Sequence, residues 1–172
     1  MTDVQIKKVG LSDLAKLVAI SRATFAETFA ADNSEADLAA FLDQHYAPEK
    51  LRAEIELAGS DFYFCLVAEK VVGYLKLNRD EAQSEPLGSD ALEIERIYFL
   101  SDYQGQGLGS RFFSLAEEIA FSTRKSWIWL GVWEHNDLAL AVYQKKGFVP
   151  FSDHVFQVGD DRQRDILMKK VL

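Results

Sequence analysis

The chain has 172 residues, 48% hydrophobic and 27% charged, which is apolar enough for one folded domain over residues 1–172 and too apolar for a disordered chain. A net charge of −8 excludes a general nucleic-acid binder, which needs a basic face to displace counterions; an acidic surface attracts cations instead. The lone Cys65 cannot close an internal disulfide, and no stretch has the apolar length of a signal core or a membrane span, so the expectation is a cytoplasmic protein with no membrane partner.

VQIKKV (4–9) alternates like a strand. Residues 11–30 carry Leu14, Leu17, Val18, Phe25 and Phe29 at helical spacing, with Ser12 or Asp13 as the cap. SEADLAAFLDQHY (34–46) opens with Ser34 and Asp37 at capping-box spacing and has an apolar face of Leu38, Phe41, Leu42 and Tyr46. Pro48 starts a short third helix through Leu57, stopped by Gly59 and Ser60. DFYFCLVAE (61–69) and VVGYLKLNR (71–79) read as an antiparallel hairpin around a polar turn near Lys70, with Cys65 a buried structural thiol. Residues 81–91 are loop by composition. LEIERIYFL (92–100) is a strand whose alternation sets Glu93, Glu95 and Ile97 on one face unless a bulge intervenes. A helix (110–123), a buried strand (127–133) and a helix (136–146) stopped by Gly147 follow. Two strands, 148–158 and 162–171, close the chain around a turn at Gly159 and Asp160. This order describes a mixed α/β sheet with helices on its faces.

DYQGQGLGS (102–110) places three glycines, Gly105, Gly107 and Gly109, between a strand and a helix. Backbone N–H groups at a helix N-terminus bind anions, and glycines let the backbone come close, so an oxyanion is expected at 105–110. The dinucleotide fingerprint G-x-G-x-x-G fails at Ser110, and the nucleotide P-loop fails for want of a following Lys. His45, His135 and His154 lack metal-ligand spacing, and no serine sits in a G-x-S-x-G elbow.

Downstream, Asn136, Ala139, Tyr143, Lys145, Gly147 and Phe148 complete the pattern N-x-x-A-x-x-x-Y-x-K-x-G-F. Upstream, Gln104, Gly105, Gln106, Gly107, Leu108 and Gly109 read as Q-x-x-G-x-G. With both motifs in this order the chain resembles the GNAT superfamily of N-acetyltransferases. FAETF (25–29), GYLKLN (73–78), IERIYF (94–99), WLGVWEHN (129–136) and HVFQVGDDRQRDILM (154–168) resemble its PaiA-type spermidine/spermine N-acetyltransferases.

The resemblance implies an α/β fold, a mixed twisted sheet of about seven strands flanked by helices, in which two central parallel strands, 92–100 and 127–133, splay apart. It implies acetyl-CoA as co-substrate and no metal. The backbone of Ile97, Tyr98 and Phe99 would meet the pantetheine arm, and residues Gln104 to Ser110 the pyrophosphate. Asn136 would contact pantetheine or hold a water; Lys145, with Arg111 as a second local candidate, would meet the adenosine phosphate. The reaction would be direct attack of a neutral primary amine on the thioester, with a small-molecule polyamine such as spermidine or spermine as the first expectation. Tyr143, a phenol of ordinary pKa about 10, holds the position of the acid that protonates the leaving thiolate. Glu95 is the candidate base, with a solvated surface charge as its rival reading, and Glu27, Phe29 and Tyr46 are candidates for the amine pocket. Two other readings stay open: acetylation of a protein amine, and a non-catalytic acyl-CoA-binding module. Family members often pair, which leaves a homodimer open.

Overall fold

The computed structural model describes residues 3–158 and 160–172. Its strands are β1 (Val4–Lys8), β2 (Ser60–Val67), β3 (Lys70–Arg79), β4 (Ala91–Phe99), β5 (Trp127–Trp133), β6 (Val149–Val158) and β7 (Asp161–Val171). Its helices are α1 (Leu14–Phe29), α2 (Glu35–His45), α3 (Pro48–Glu56), α4 (Leu108–Ser122) and α5 (Asp137–Lys145). The strands form one seven-stranded sheet in the order β1-β2-β3-β4-β5-β7-β6. Among the described residues only the central pair, β4 and β5, is parallel; every other neighbour is antiparallel.

The sheet buries both faces. On one, Leu75, Leu77, Leu92, Ile94, Ile128 and Leu130 pack beneath Phe112 and Ala116 of α4, with Leu140 and Tyr143 of α5 at the margin. On the other, Phe62, Phe64 and Tyr74 meet Leu17 and Ile20 of α1, Leu42 of α2 and Leu51 of α3. The alternation of Phe62 and Phe64 with Tyr63 and Cys65 therefore fills two layers at once. Among the described residues no helix is long and apolar enough to cross a membrane.

The helix starts show what the sequence pattern does locally. Ser34 caps α2 as expected, its hydroxyl accepting the N–H of Asp37 at 3.1 Å. Asp13 does something else: its carboxylate turns back to accept the N–H of Gly10 (3.0 Å) and pairs with Lys7 (3.2 Å). Leu11–Asp13 is accordingly a 3-10 turn, and α1 proper begins at Leu14. α4 begins at Leu108, two residues before the expected start, because Gly107 is its N-cap and Leu108 is already buried. Of the expected last turn, Gly159 lies outside the described residues.

β4 carries the feature that organises the site. Its register against β3 shifts: Lys76 faces Arg96 while Leu77 faces Ile94, so Glu95 is the extra residue of a β-bulge. The simple alternation of Glu93, Glu95 and Ile97 therefore does not hold. Glu93 and Glu95 both reach Asn78, and Tyr98 lies with the α1–α3 layer, whereas Ile97 and Phe99 join the α4 layer.

Candidate active site

β4 and β5 pair from Ala91 opposite Trp127 to Ile94 opposite Leu130, and no further. β5 continues through Trp133 with partners only on its β7 side. At the same point the β4 side chains change from buried (Ala91–Ile94) to half-buried (Glu95–Phe99). A bulge bends and twists its strand, and this one sits where the parallel pair parts. The backbone groups of 95–99 that point toward β5 are left without a strand partner, which leaves them to other partners. Gly131, in mid-strand and mid-sheet, is solvent-exposed. It forms a floor in the opening.

The glycine loop adjoins one end of this opening. Gln104 Nε2 donates to the carbonyl of Phe99 (3.1 Å), and Gln106 Nε2 to that of Asp102 (3.0 Å), so both glutamines brace the loop. Gly105 and Gly107 have φ of +74° and +78°, a region where other side chains are strained, and a Cβ at either would meet nothing within 4 Å. Gly107 caps α4 without a side-chain acceptor, which leaves the N–H groups of Leu108, Gly109 and Ser110 with no acceptor in their own helix. The cation beside them is Lys146, whose Nζ donates to Ser110 Oγ and lies 5.7 Å from the Phe113 ring centre. Lys145 is exposed in the last turn of α5. Arg111 is exposed too and lines a shallow groove of about 510 Å³ with Ile6, Lys8, Tyr63 and Glu118. That groove opens over β1 and β2, and no α5 residue lines it.

α5 faces the opening from the α4 side of the sheet. Asn136 Oδ1 accepts the N–H of Ala139 (3.2 Å), so this side chain caps the helix. Tyr143, half-buried, packs edge-on to Phe113 at 5.9 Å between ring centres. Burial pushes its phenol up to about 12. No hydrogen bond among the described residues occupies its hydroxyl.

On the other face Glu95 is heavily engaged. It accepts hydrogen bonds from Lys76 (2.9 Å) and Asn78 (2.8 Å) and pairs with the Arg96 guanidinium at 3.1 Å. Burial would raise its pKa, but the charges of Arg96 and Lys76 and the hydrogen bonds outweigh that and hold it below the usual carboxylate value. Glu54 of α3 pairs with the same two cations, closing a four-membered ion network. Tyr46 is buried beneath Arg96, 5.1 Å from ring centre to guanidinium. Arg96 Nη1 and the Tyr74 hydroxyl are buried without a protein partner among the described residues. Glu27 of α1 accepts the N–H of Ser101 (2.7 Å) and so ties α1 to the start of the glycine loop. Phe29 lies 4.4 Å from Phe25 and 6.0 Å from Trp133, and Phe25 stacks on Phe41 at 4.7 Å, giving an aromatic wall beside the opening.

Two groups here are invisible to motif reading. Lys146 is indistinguishable from Lys145 until helix phase is known. Asp165 of β7 stands opposite Trp133 of β5 and His154 of β6. Burial pushes its carboxyl up to about 6, against the opposing pull of His154. Tyr98, raised first by burial, is raised further by its neighbours Tyr46, Tyr143 and Asp165. Its side chain packs with the α1–α3 layer.

A model of the acetyltransferase (GNAT) family matches residues 23–148. The chain belongs to the GNAT family. An uncharacterized N-acetyltransferase of Lactobacillus delbrueckii subsp. lactis is 50% identical over 172 residues, covering 100% of this chain and 99% of that one. The spermidine N(1)-acetyltransferase of Thermoplasma acidophilum is 23% identical over 171 residues, 97% of this chain and 96% of the relative. Among solved structures, the PaiA N-acetyltransferase of T. acidophilum in complex with coenzyme A superposes with a TM-score of 0.81 at 22% identity, covering 99% of each chain. This GNAT chain is thus an N-acetyltransferase, and the family's acyl donor is acetyl-CoA. The matched span ends at Phe148, so β6 and β7, with Asp165, lie outside it.

Proposed function

We propose that this GNAT enzyme transfers the acetyl group of acetyl-CoA to a primary amine of a small organic cation, with polyamines such as spermidine or spermine first. The observation that carries this reading is the aromatic wall of Phe25, Phe29, Phe41 and Trp133 beside the opening. Ring faces attract ammonium groups and cover methylene chains, and the net charge of −8 favours cations at long range. The 23%-identical spermidine acetyltransferase agrees with it.

In this reading the β4 backbone at Ile97–Phe99 holds the pantetheine arm. The loop from Gln104 to Ser110 takes the pyrophosphate on the N–H groups that open α4, with Lys146 as the neutralising cation beside them. Lys145, exposed one residue earlier, is left for the outer adenosine phosphate. Asn136, with Oδ1 spent on its cap, offers Nδ2 to the pantetheine. Tyr143 at about 12 is a weaker acid than an ordinary phenol. A thiol has a pKa of about 8.5, so full proton transfer to the departing sulfur is uphill and comes late. The phenol's first contribution is a hydrogen bond to the developing thiolate.

Glu95 lies on the acceptor face, where a base belongs, but two hydrogen-bond donors and the Arg96 charge already hold its carboxylate and its basicity is low. We assign it to fixing Lys76 and Arg96 around the amine. Glu27 keeps one carboxylate oxygen free for a distal ammonium, Phe29 supplies ring surface, and Tyr46 supports Arg96 from below.

The test is a panel of spermidine, spermine, propylamine and a peptide with a free N-terminus, each with acetyl-CoA, following thiol release. The polyamines should give a kcat/KM at least about tenfold above the monoamine, one ammonium–aromatic contact's worth. Turnover of the peptide with none of the polyamines would refute the substrate class.

A further inference from the structure

Each acid so far described around the opening is already engaged. Glu54 and Glu95 form ion pairs with Lys76 and Arg96, Glu93 accepts from Asn78 and Ser84, and Glu27 from Ser101. Asp165 differs. It is half-buried, yet no hydrogen bond or ion pair among the described residues engages its carboxylate. Its position is specific. A Cβ built on Gly131 would lie 3.7 Å from Asp165 Oδ2, so the carboxylate leans over the exposed glycine that floors the opening. Trp133, its cross-strand partner, joins it to the aromatic wall through Phe29.

We propose that Asp165 is the catalytic residue that receives the acceptor ammonium and takes its proton. This rests on the N-acetyltransferase reading of the site but not on the amine being a polyamine. The acceptor arrives as R–NH3⁺; one proton passes to the Asp165 carboxylate, leaving R–NH2. Its lone pair forms the N–C bond to the thioester carbonyl carbon, and the C–S bond breaks. The second nitrogen proton ends on the sulfur, with the Tyr143 hydroxyl bridging the two, and Asp165 later returns its proton to water. The products are the acetamide, the free thiol and one proton.

The environment suits the task. A base is most effective when its pKa lies near the working pH, and a carboxyl pushed up by burial to about 6 is far closer to that than Glu95. Among the described residues, the groups facing Asp165 are His154 from β6, itself 2.9 Å from Glu85, and Tyr98 from β4. Arg164, next in sequence, is committed to Glu134 and Asp153.

The test is Asp165→Asn, assayed with spermidine and, in parallel, with a peptide bearing a free N-terminus. In whichever series the wild type turns over, kcat/KM for the amine should fall about 10²- to 10⁴-fold at pH 7.5. The acidic limb of the wild-type pH profile, near pH 6, should disappear, and calorimetric affinity for coenzyme A should be unchanged. Wild-type turnover in the variant, a retained acidic limb, or loss of coenzyme A binding together with activity would each overturn the assignment. Activity with the peptide alone would remove the polyamine reading and leave the Asp165 result intact. Wild-type turnover of neither amine would sink both.

Discussion

Gly73 offers a sharp test of how β4 is held. It lies on β3 directly opposite Phe99 on β4. A methyl group there would sit 2.4 Å from Phe99 Cδ1, 2.7 Å from Cε1 and 2.7 Å from the carbonyl oxygen of Tyr98. The Phe99 ring has little room to retreat, because Phe112 stands behind it at 5.3 Å between ring centres. Gly73→Ala thus forces a ring and a strand to move together, an overpacking cost of about 3 kcal/mol. The stiffer unfolded chain returns about 0.7 kcal/mol. The clash wins by about 2 kcal/mol, which for a chain of this size lowers the Tm by about 4–8 °C. Scanning calorimetry reads this directly. In the double variant Gly73→Ala/Phe99→Leu the smaller side chain vacates the contact, so the two losses should fall short of additive by about 1 kcal/mol or more. An unchanged Tm in Gly73→Ala, or strict additivity in the double variant, would refute the close approach of the two strands. The single variant should also weaken coenzyme A binding, since the strand it displaces ends at Tyr98 and Phe99.

Tyr143→Phe should lower kcat about 100-fold while leaving acetyl-CoA affinity within about twofold; with the wild-type phenol near 12, the deficit should stay constant from pH 6 to about pH 9 when thiol release is followed. Lys146→Ala should weaken coenzyme A about tenfold by calorimetry, the low end for a charge-assisted hydrogen bond, and Lys145→Ala should do less. Asp165→Asn should unfold at a higher temperature than wild type at pH 7.5, with the gap closing toward pH 4. The sign follows from linkage: the folded carboxyl titrates near 6 and the unfolded one near 3.8, so its ionisation destabilises the fold fully above about pH 6 and not at all below pH 3.8. A gap that does not change with pH would mean that packing, not charge, sets it.

The sequence patterns reached the element order because each segment had one dominant period. The tryptophan-rich WIWLGVW read as a buried strand, and Trp127–Trp133 is the strand found, with Gly131 its exposed point. Ser34 capped as its spacing said, because an exposed helix start offers the hydroxyl no better partner. Asp13 had one, in Lys7 and the Gly10 N–H, and that moved the helix start. The bulge at Glu95 was legible only as a possibility, because alternation cannot say where a register will slip. Lys146 and Asp165 were out of reach for a different reason. A helix phase must be fixed before one of two adjacent lysines can be preferred, and no local pattern says that residue 165 will lie beside residue 133. Both are products of tertiary pairing.

The two carboxylates that flank the opening show how one sheet separates their chemistry. Glu95 is the extra residue of the bulge, so its side chain falls among Lys76, Arg96 and Asn78, and it stays ionised with little appetite for a proton. Asp165 lies on a regular strand beside a tryptophan and a glycine, where burial has no donor to offset it and only a half-exposed histidine opposes the rise. Environments that push like groups apart assign different roles to them. Here the well-hydrogen-bonded carboxylate stabilises structure and the ill-satisfied one keeps reactivity. The same bulge that locks Glu95 also bends β4 away from β5 and leaves Gly131 open beneath Asp165. On the proposed reading, one inserted residue opens the space for the acetyl donor, removes Glu95 from proton transfer, and leaves that work to Asp165.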